Sequence, residues 1–414
     1  MDNLLLLVHR IPYPPNKGDK IRSYHLLQHL ARHYRVHLAT FVDDADDWQH
    51  VPRVQALCAS SHFASLGRIG GRLRSLGALL SGRSLSLGYY SDAGLRAWVA
   101  DTMRREAIGR IVVFSSAMAQ YAEAYPAARR VVDFVDVDSD KWRQYAERKG
   151  WPMRALYAHE ARQLLTYERH VARVSDAALF VSEPEADLFR ALAPESAARI
   201  GHVSNGVDTA YFAPDQAIPN PYPAAGVDPA KTLVFTGAMD YWPNIDAVEW
   251  FAREVLPALR QRHPAACFYI VGARPSADVL QLALLPGVVV TGTVPDVRPY
   301  LAHAAVCVAP LRIARGIQNK VLEAMSMART VLVSPQALEG IGAVVGSELL
   351  LADGAAAWID CAATALERPA PAIGLAARRR VEADFGWSSH LASIDTLLEQ
   401  PAMAAARPVW NSAP

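Results

Sequence analysis

Cysteine is scarce in this chain, with four in 414 residues. Cys58, Cys267, Cys307 and Cys361 stand apart in apolar or alanine-rich surroundings, without the close CxxC pairing of zinc and redox sites. They read as buried thiols in a reducing compartment. A long apolar run is missing at the start: Met1–Val8 is a strand long, short of the ~18–20 residues of a membrane span. It has no basic leader or small-residue cleavage site either, so the expectation is a cytoplasmic protein, at most peripheral to the inner face of the membrane. Charge of one sign is missing too. A net charge of +1 gives no global pull toward nucleic acid. No G-x-G-x-x-G follows the first apolar run, which counts against a dinucleotide-binding oxidoreductase.

What is present is alternation. Leu4–Val8, Val36–Phe41, Ile111–Phe114, Arg130–Phe134 and Ala177–Val181 are short apolar runs separated by segments of helical spacing such as Ile21–His33. That is the pattern of a parallel sheet covered on both faces. Prolines 214, 219, 221, 223 and 229 then interrupt the chain and read as a linker. Beyond them the pattern restarts with Leu233–Thr236, Cys267–Val271, Val288–Thr291, Val306–Ala309 and Thr330–Val333, and with helical segments at Ile245–Arg262 and Lys320–Arg329. A length of 414 residues exceeds a single core, so two α/β domains are expected. Ligands of such sheets sit outside the carboxyl ends of the strands, and two domains face to face would form a cleft there.

The most informative segment runs from Pro310 to Met327. A strand ends, a loop carries Arg312, Arg315 and Gly316, and a helix opens near Gln318. A helix start offers unpaired N–H groups, and Lys320 with the arginines adds charge, a combination suited to a diphosphate. Glu323 falls three residues after Lys320, on the same helical face, where a carboxylate could hold a ribose. The plain alternative is a solvent-exposed Lys–Glu pair worth ~0.3–0.5 kcal/mol.

Four segments in order, Asn205-Gly-Val-Asp208, Phe235 to Asn244, Val271-Gly272 with Thr291-Gly292-Thr-Val-Pro-Asp296, and Gly316 to Met325, resemble the landmarks of family 4 (group 1) glycosyltransferases. The resemblance implies a GT-B fold: two Rossmann-like domains facing across a cleft, with a C-terminal helix crossing back to the first. It implies residues 1–205, with a crossover helix at about 385–400, as the acceptor domain, and 206–384 as the nucleotide-sugar domain. It further implies retention of anomeric configuration, a nucleotide-diphosphate sugar as donor, and neither metal nor other cofactor.

Carried over by position, Gly237 and Met239 form the first strand-loop of the donor domain, Gly272 the next, and Gly292 and Val294 line the base pocket. Gly316, Ile317 and Gln318 present backbone N–H groups, Lys320 with Arg312 or Arg315 supplies cations, and Glu323 binds ribose. Two departures stand out. Arg315 occupies the position where many relatives carry a sugar-contacting glutamate, and Ala238 to Asn244 lacks the usual arginine and lysine.

In the first half, Gly18 fits the loop that closes over donor phosphates in the family, with Lys17, Lys20 and Arg22 adding charge. A solvated basic loop is the alternative. Asp133-Phe-Val-Asp-Val-Asp-Ser-Asp140 ends another strand. Asp136-Val-Asp138 matches a metal-binding DxD by letter, but we read Asp136, Asp138 and Lys141 as acceptor-side residues. Many relatives have a histidine near this segment, which here has none. The residues expected to carry catalysis are Asp136, Lys320 and Glu323. The arginine- and leucine-bearing stretch Gly67–Arg83 reads either as peripheral membrane contact or as a helix with its arginines in water.

The phrases around Asp133–Trp142 and Gly316–Met325 look most like the sugar transferases that accompany PEP-CTERM/exosortase systems. That implies bacterial exopolysaccharide biosynthesis with a glycan or lipid-linked acceptor and no nucleic-acid partner. Two rival readings share the donor site, a GT-B nucleotide-sugar epimerase or hydrolase and an inactive transferase-like protein.

Overall fold

A computed structural model of the chain describes residues 1–400 except 16, 68–70, 72, 73, 76, 80, 148, 215, 216, 315 and 316. The chain forms two compact units, Met1–Asn205 with the stretch from His390 onward, and Gly206–Ser389. Each is built on its own parallel sheet.

In the first unit, Leu4, Leu5, Leu6, Leu7 and Val8 are all fully buried. A strand with no polar alternation must have both faces covered, and this one lies mid-sheet. The strands are β1 (Asn3–Val8), β2 (Arg35–Val42), β3 (Ser60–Ser65), β4 (Arg110–Phe114), β5 (Arg129–Val135), β6 (Ala177–Phe180) and β7 (Ile200–His202). Their order is β3-β2-β1-β4-β5-β6-β7, all parallel.

The second unit has β8 (Thr232–Thr236), β9 (Cys267–Val271), β10 (Val288–Gly292), β11 (Val306–Ala309), β12 (Val331–Val333) and β13 (Leu350–Leu351). Their order is β10-β9-β8-β11-β12-β13, again parallel. Both sheets therefore wind in the same doubly wound sense. Strand order reverses between β1 and β4 and between β8 and β11, where the loops leaving the carboxyl ends diverge and leave a crevice.

β3, β7 and β13 go beyond the strands the sequence pattern predicts. All three lie at sheet edges, where a strand is half-solvated and tolerates polar or short sequences such as Ser-Ser-His-Phe-Ala-Ser. The proline-rich stretch, expected to be a linker, is instead a strap on the second unit. Tyr222 within it is fully buried, stacks edge-on to Tyr269 at 4.9 Å and donates to the Tyr300 carbonyl at 2.6 Å. Its prolines rigidify a packed segment.

Helix Trp387–Glu399 begins in the second unit and returns to the first. Leu391, Ile394 and Leu398, spaced three and four apart, form its buried stripe. Its last carbonyls, the unpaired acceptors of any helix end, are capped by arginines of the first sheet: Arg129 Nε donates to Leu397 O, and Arg110 Nε to Leu398 O at 3.2 Å.

Candidate functional site

The crevice of the second unit opens where β8 and β11 part. Three glycines expected there stack across neighbouring strand ends. Gly237 N donates to Val271 O at 3.0 Å and Gly272 N to Gly292 O at 3.3 Å. A Cβ on Gly272 would lie 1.6 Å from the Gly237 carbonyl oxygen, so only glycine lets these loops meet. At Gly237 a Cβ would come within 2.7 Å of Asn244 Nδ2 and 3.3 Å of Lys320 Nζ. Gly292 differs: its φ is +69° and nothing lies within 4 Å of where a Cβ would stand, so it faces open space. Val294, just beyond, is half-buried against the core.

Lys320 comes from helix Asn319–Ser326, which opens just after the loop leaving β11. Its ammonium lies 4.3 Å from the centre of the Phe235 ring at the end of β8 and donates to Asn244 Oδ1. Asn244 is buried, and its Nδ2 is fixed by donation to Ala238 O at 2.8 Å. The ammonium is thus aimed at the strand-order reversal by an aromatic face and an amide. Burial pushes the Lys320 pKa down to about 7 against the pull of Glu323, and pushes Glu323 up to about 7 against the pull of Lys320. Without a ligand neither group is fully ionised at neutral pH. An anion arriving at this edge would restore the lysine charge.

Other expected donor residues fall into place unevenly. Ile317 is half-buried against Gly340, where a Cβ would stand 3.1 Å from the Ile317 Cγ1. Gln318 caps helix Asn319–Ser326 in extended conformation. Arg315 and Gly316 lie outside the described residues. Arg312 is clamped by Asp246, with Nε donating at 3.0 Å to one oxygen and Nη2 to the other, so much of its charge is matched within the protein. Met239 belongs to the loop through its backbone, which donates to Ala273 O at 2.8 Å and accepts from Ser276 N at 3.2 Å, while its side chain is fully buried in the core. Asn244 was missed by sequence reasoning because a single asparagine early in a helix reads as a turn residue. Its register with Lys320 appears only in three dimensions.

At the carboxyl edge of the first sheet, Gly18 opens helix Gly18–His33, is exposed and has free space around it. The charges expected around it are mostly consumed internally. Arg22 is 1% exposed, with Nε donating to Asp133 at 2.7 Å and Nη1 to Asn205 at 3.1 Å. Lys20 pairs with Asp47 at 2.5 Å and is equally buried. A helical face that points inward carries these cations into the unit, so Arg22 ties helix Gly18–His33 to β5 and does not charge a phosphate loop.

After β5, Lys141 bridges Asp136 at 2.6 Å and Asp138 at 3.3 Å. The ammonium occupies the place a cation would take between the two carboxylates. Burial raises the Asp138 pKa in spite of Lys141. Behind it the fully buried Glu168 carboxyl is pushed well up by burial and by Asp138, and accepts from Ser139 Oγ at 2.5 Å.

His9, directly after β1, was missed. It stacks on Phe114 at 5.7 Å, lies 3.3 Å from Asp19 through Nε2, and is close enough to draw the Asp138 pKa down. Against the effect of burial, His9 and Arg10 hold the Asp19 carboxyl well below the usual range. The segment around Asp136 has no histidine, but this edge of the sheet does. A polar residue abruptly ending the Leu4–Val8 run was the available signal.

Residues 230–368 match the family model of glycosyl transferases, group 1. By structure the whole chain is similar to HepE of Anabaena, solved in complex with UDP, at 15% identity over 96% of this chain and 99% of that one, with a TM-score of 0.62. It is similar to sucrose-phosphate synthase of Thermosynechococcus elongatus, at 17% identity over 96% and 98%, TM-score 0.61. It is also similar to WaaG, a glycosyltransferase involved in lipopolysaccharide biosynthesis, at 15% identity over 96% and 100%, TM-score 0.59. No curated protein matches by sequence. The fold is GT-B, two Rossmann-like units with a returning helix, and residues 230–368 are a group 1 glycosyltransferase domain.

Proposed function

We propose that the chain is a retaining glycosyltransferase that binds a nucleotide-diphosphate sugar on its second unit and passes the sugar to an acceptor held by the first. The observation that carries this reading is the Lys320 ammonium held at the strand-order reversal by the Phe235 ring and Asn244, with Glu323 on the same helical face and the closely packed backbones of Gly237 and Gly272 beside it. Lys320 would neutralise the leaving diphosphate, and Glu323 would accept hydrogen bonds from the ribose hydroxyls. Stabilising a departing diphosphate is the main electrostatic task of such a reaction. HepE has been solved with UDP-glucose, which makes UDP-sugars the first donors to try. Asp136, Asp138, Lys141 and His9 are the proposed acceptor-side groups.

We place the reaction in bacterial exopolysaccharide assembly, in line with the resemblance to PEP-CTERM-associated transferases, with a glycan or lipid-linked acceptor. Among the described residues no helix is long and apolar enough to cross a membrane. The described part of Gly67–Arg83 packs locally, Ser75 Oγ donating to Leu85 O at 3.0 Å. A better lipid-facing feature lies between helices Asp138–Glu147 and Met153–Val174: Trp151 is 86% exposed, beside Lys149, Met153 and Arg154. An exposed indole flanked by cations suits an anionic bilayer surface.

A thermal-shift panel of nucleotide sugars tests the donor. A true donor at 100 times its Kd adds about 2.7 kcal/mol of stability, and the Lys320→Met chain should lose most of that gain. Stabilisation by no nucleotide sugar would sink the proposal. Anomeric NMR of the product from that donor decides retention, and co-sedimentation of wild-type and Trp151→Ser chains with anionic vesicles decides the lipid contact.

A further inference from the structure

Helix Gly18–His33 carries His29 and His33 one turn apart on one face. Helix Trp387–Glu399 brings Asp395 against them, within the same unit. His29 is buried, and its Nε2 lies 2.8 Å from Asp395 Oδ2. The His29 and His33 rings are 5.1 Å apart between centres. One donor atom from each of the three residues lies within 4.8 Å of the other two.

Two observations go beyond an ordinary His–Asp hydrogen bond. The third ligand atom, a ring nitrogen of exposed His33, is not needed for that bond yet lies within 4.8 Å of the other two. And the second carboxylate oxygen, Asp395 Oδ1, is buried without a hydrogen-bond partner. A buried carboxylate oxygen left unpaired is costly, and a cation is one way to satisfy it.

We propose that His29, His33 and Asp395 form a divalent transition-metal site that fastens the returning terminal helix to the first helix of the first unit. Two imidazoles and a carboxylate suit Zn²⁺, Co²⁺ or Ni²⁺ and do not suit Mg²⁺ or Ca²⁺, which take oxygen ligands. In a tetrahedral zinc site with ligands at about 2.0–2.1 Å, neighbouring ligand atoms stand roughly 3.3 Å apart. The His29–Asp395 pair would need to open only slightly as the proton between them is lost to solvent and the metal takes its place. Water would complete the coordination. The role is structural, since the site holds a helix and contains none of the residues assigned to donor or acceptor.

The test uses the untagged full chain, stripped with chelator and titrated with Co²⁺ while its visible d–d absorption is followed. One equivalent should bind with a tetrahedral spectrum, and Zn²⁺ should displace it. His33 is exposed, so His33→Ala should leave the metal-free melting temperature unchanged. It should weaken Co²⁺ binding by no less than the roughly 10–100-fold that loss of even an outer partner costs at a metal site. Absence of stoichiometric Co²⁺ binding, or wild-type affinity in His33→Ala, would overturn the proposal.

Discussion

A lysine and a glutamate three residues apart on a surface helix normally gain a few tenths of a kcal/mol from each other. Lys320 and Glu323 instead share a desolvated edge where each has been pushed to about pH 7 from opposite sides. This gives a proton signature. If bound donor requires Lys320 charged and Glu323 ionised, then well above pH 7 the free site lacks the lysine proton, and binding takes up as much as about one proton. Well below pH 7 the free site holds an extra proton on Glu323, and binding releases one. Near pH 7 the proton passes within the pair and the net exchange vanishes. Calorimetry of donor binding in buffers of different ionisation enthalpy should therefore show proton linkage that changes sign across neutrality. In Lys320→Met the uptake limb should be gone, and a linkage of one sign throughout in the wild type would refute the coupled-pair account. The same shifts act on the empty protein. Glu323 makes stability fall as pH rises from its ordinary carboxylate range to 7. Lys320 makes stability rise from 7 toward its ordinary ammonium range, because there the unfolded chain holds the extra proton. A shallow minimum near pH 7 in urea midpoints, relieved in a Lys320→Met/Glu323→Gln double variant, is the expected outcome.

At the scale of loops and strands, the glycines at Gly237, Gly272 and Gly292 divide by what surrounds them. Gly272→Ala puts a methyl 1.6 Å from a backbone oxygen, which no rotamer can relieve, so the β8 and β9 loops must separate. Overpacking of this kind costs about 1–3 kcal/mol, and displacing Gly237 should also misplace Asn244 and Lys320. Gly292→Ala meets no atom, and its cost is about 1 kcal/mol for the left-handed backbone. Denaturation midpoints should therefore fall further for Gly272→Ala, and only that variant should lose donor affinity through the lysine. The spacing of these glycines after apolar runs was legible in the sequence, as were the central strands, because a strand buried on both faces has to be written in Val, Ile and Leu. What escaped was written in ambiguous letters. β3 is polar because it is an edge, the proline strap looks like a linker because packing of Tyr222 leaves no periodic trace, and Arg22 looks solvated until Asp133, 111 residues away, is brought beside it. Asn244 and His9 were hidden for the same reason: their meaning lies in long-range register, which composition and spacing do not encode.

For the whole molecule, the decisive connection is the returning terminal helix, because it makes the first unit discontinuous in sequence. Residues from His390 onward complete a fold begun at Met1. Three kinds of interaction hold the helix there: the buried stripe of Leu391, Ile394 and Leu398, the Arg110 and Arg129 caps on its last carbonyls, and Asp395 on His29. Fully burying three leucine- or isoleucine-sized side chains is worth roughly 1.5–3 kcal/mol each, a large share of a typical domain's 5–15 kcal/mol. A chain ending after Gly386 should accordingly lose protection in the first unit, at helix Gly18–His33 and in β4 and β5, where the arginines arise. The β8, β9 and β11 core belongs to the other unit and should keep its exchange rates. Hydrogen exchange with peptide-level resolution distinguishes this from general destabilisation. Equal loss of protection in both sheets would mean that the helix stabilises the molecule as one cooperative body. Loss confined to the first sheet would make it an element without which the first unit does not close, although that unit's sheet ends about 185 residues earlier in the chain, at His202.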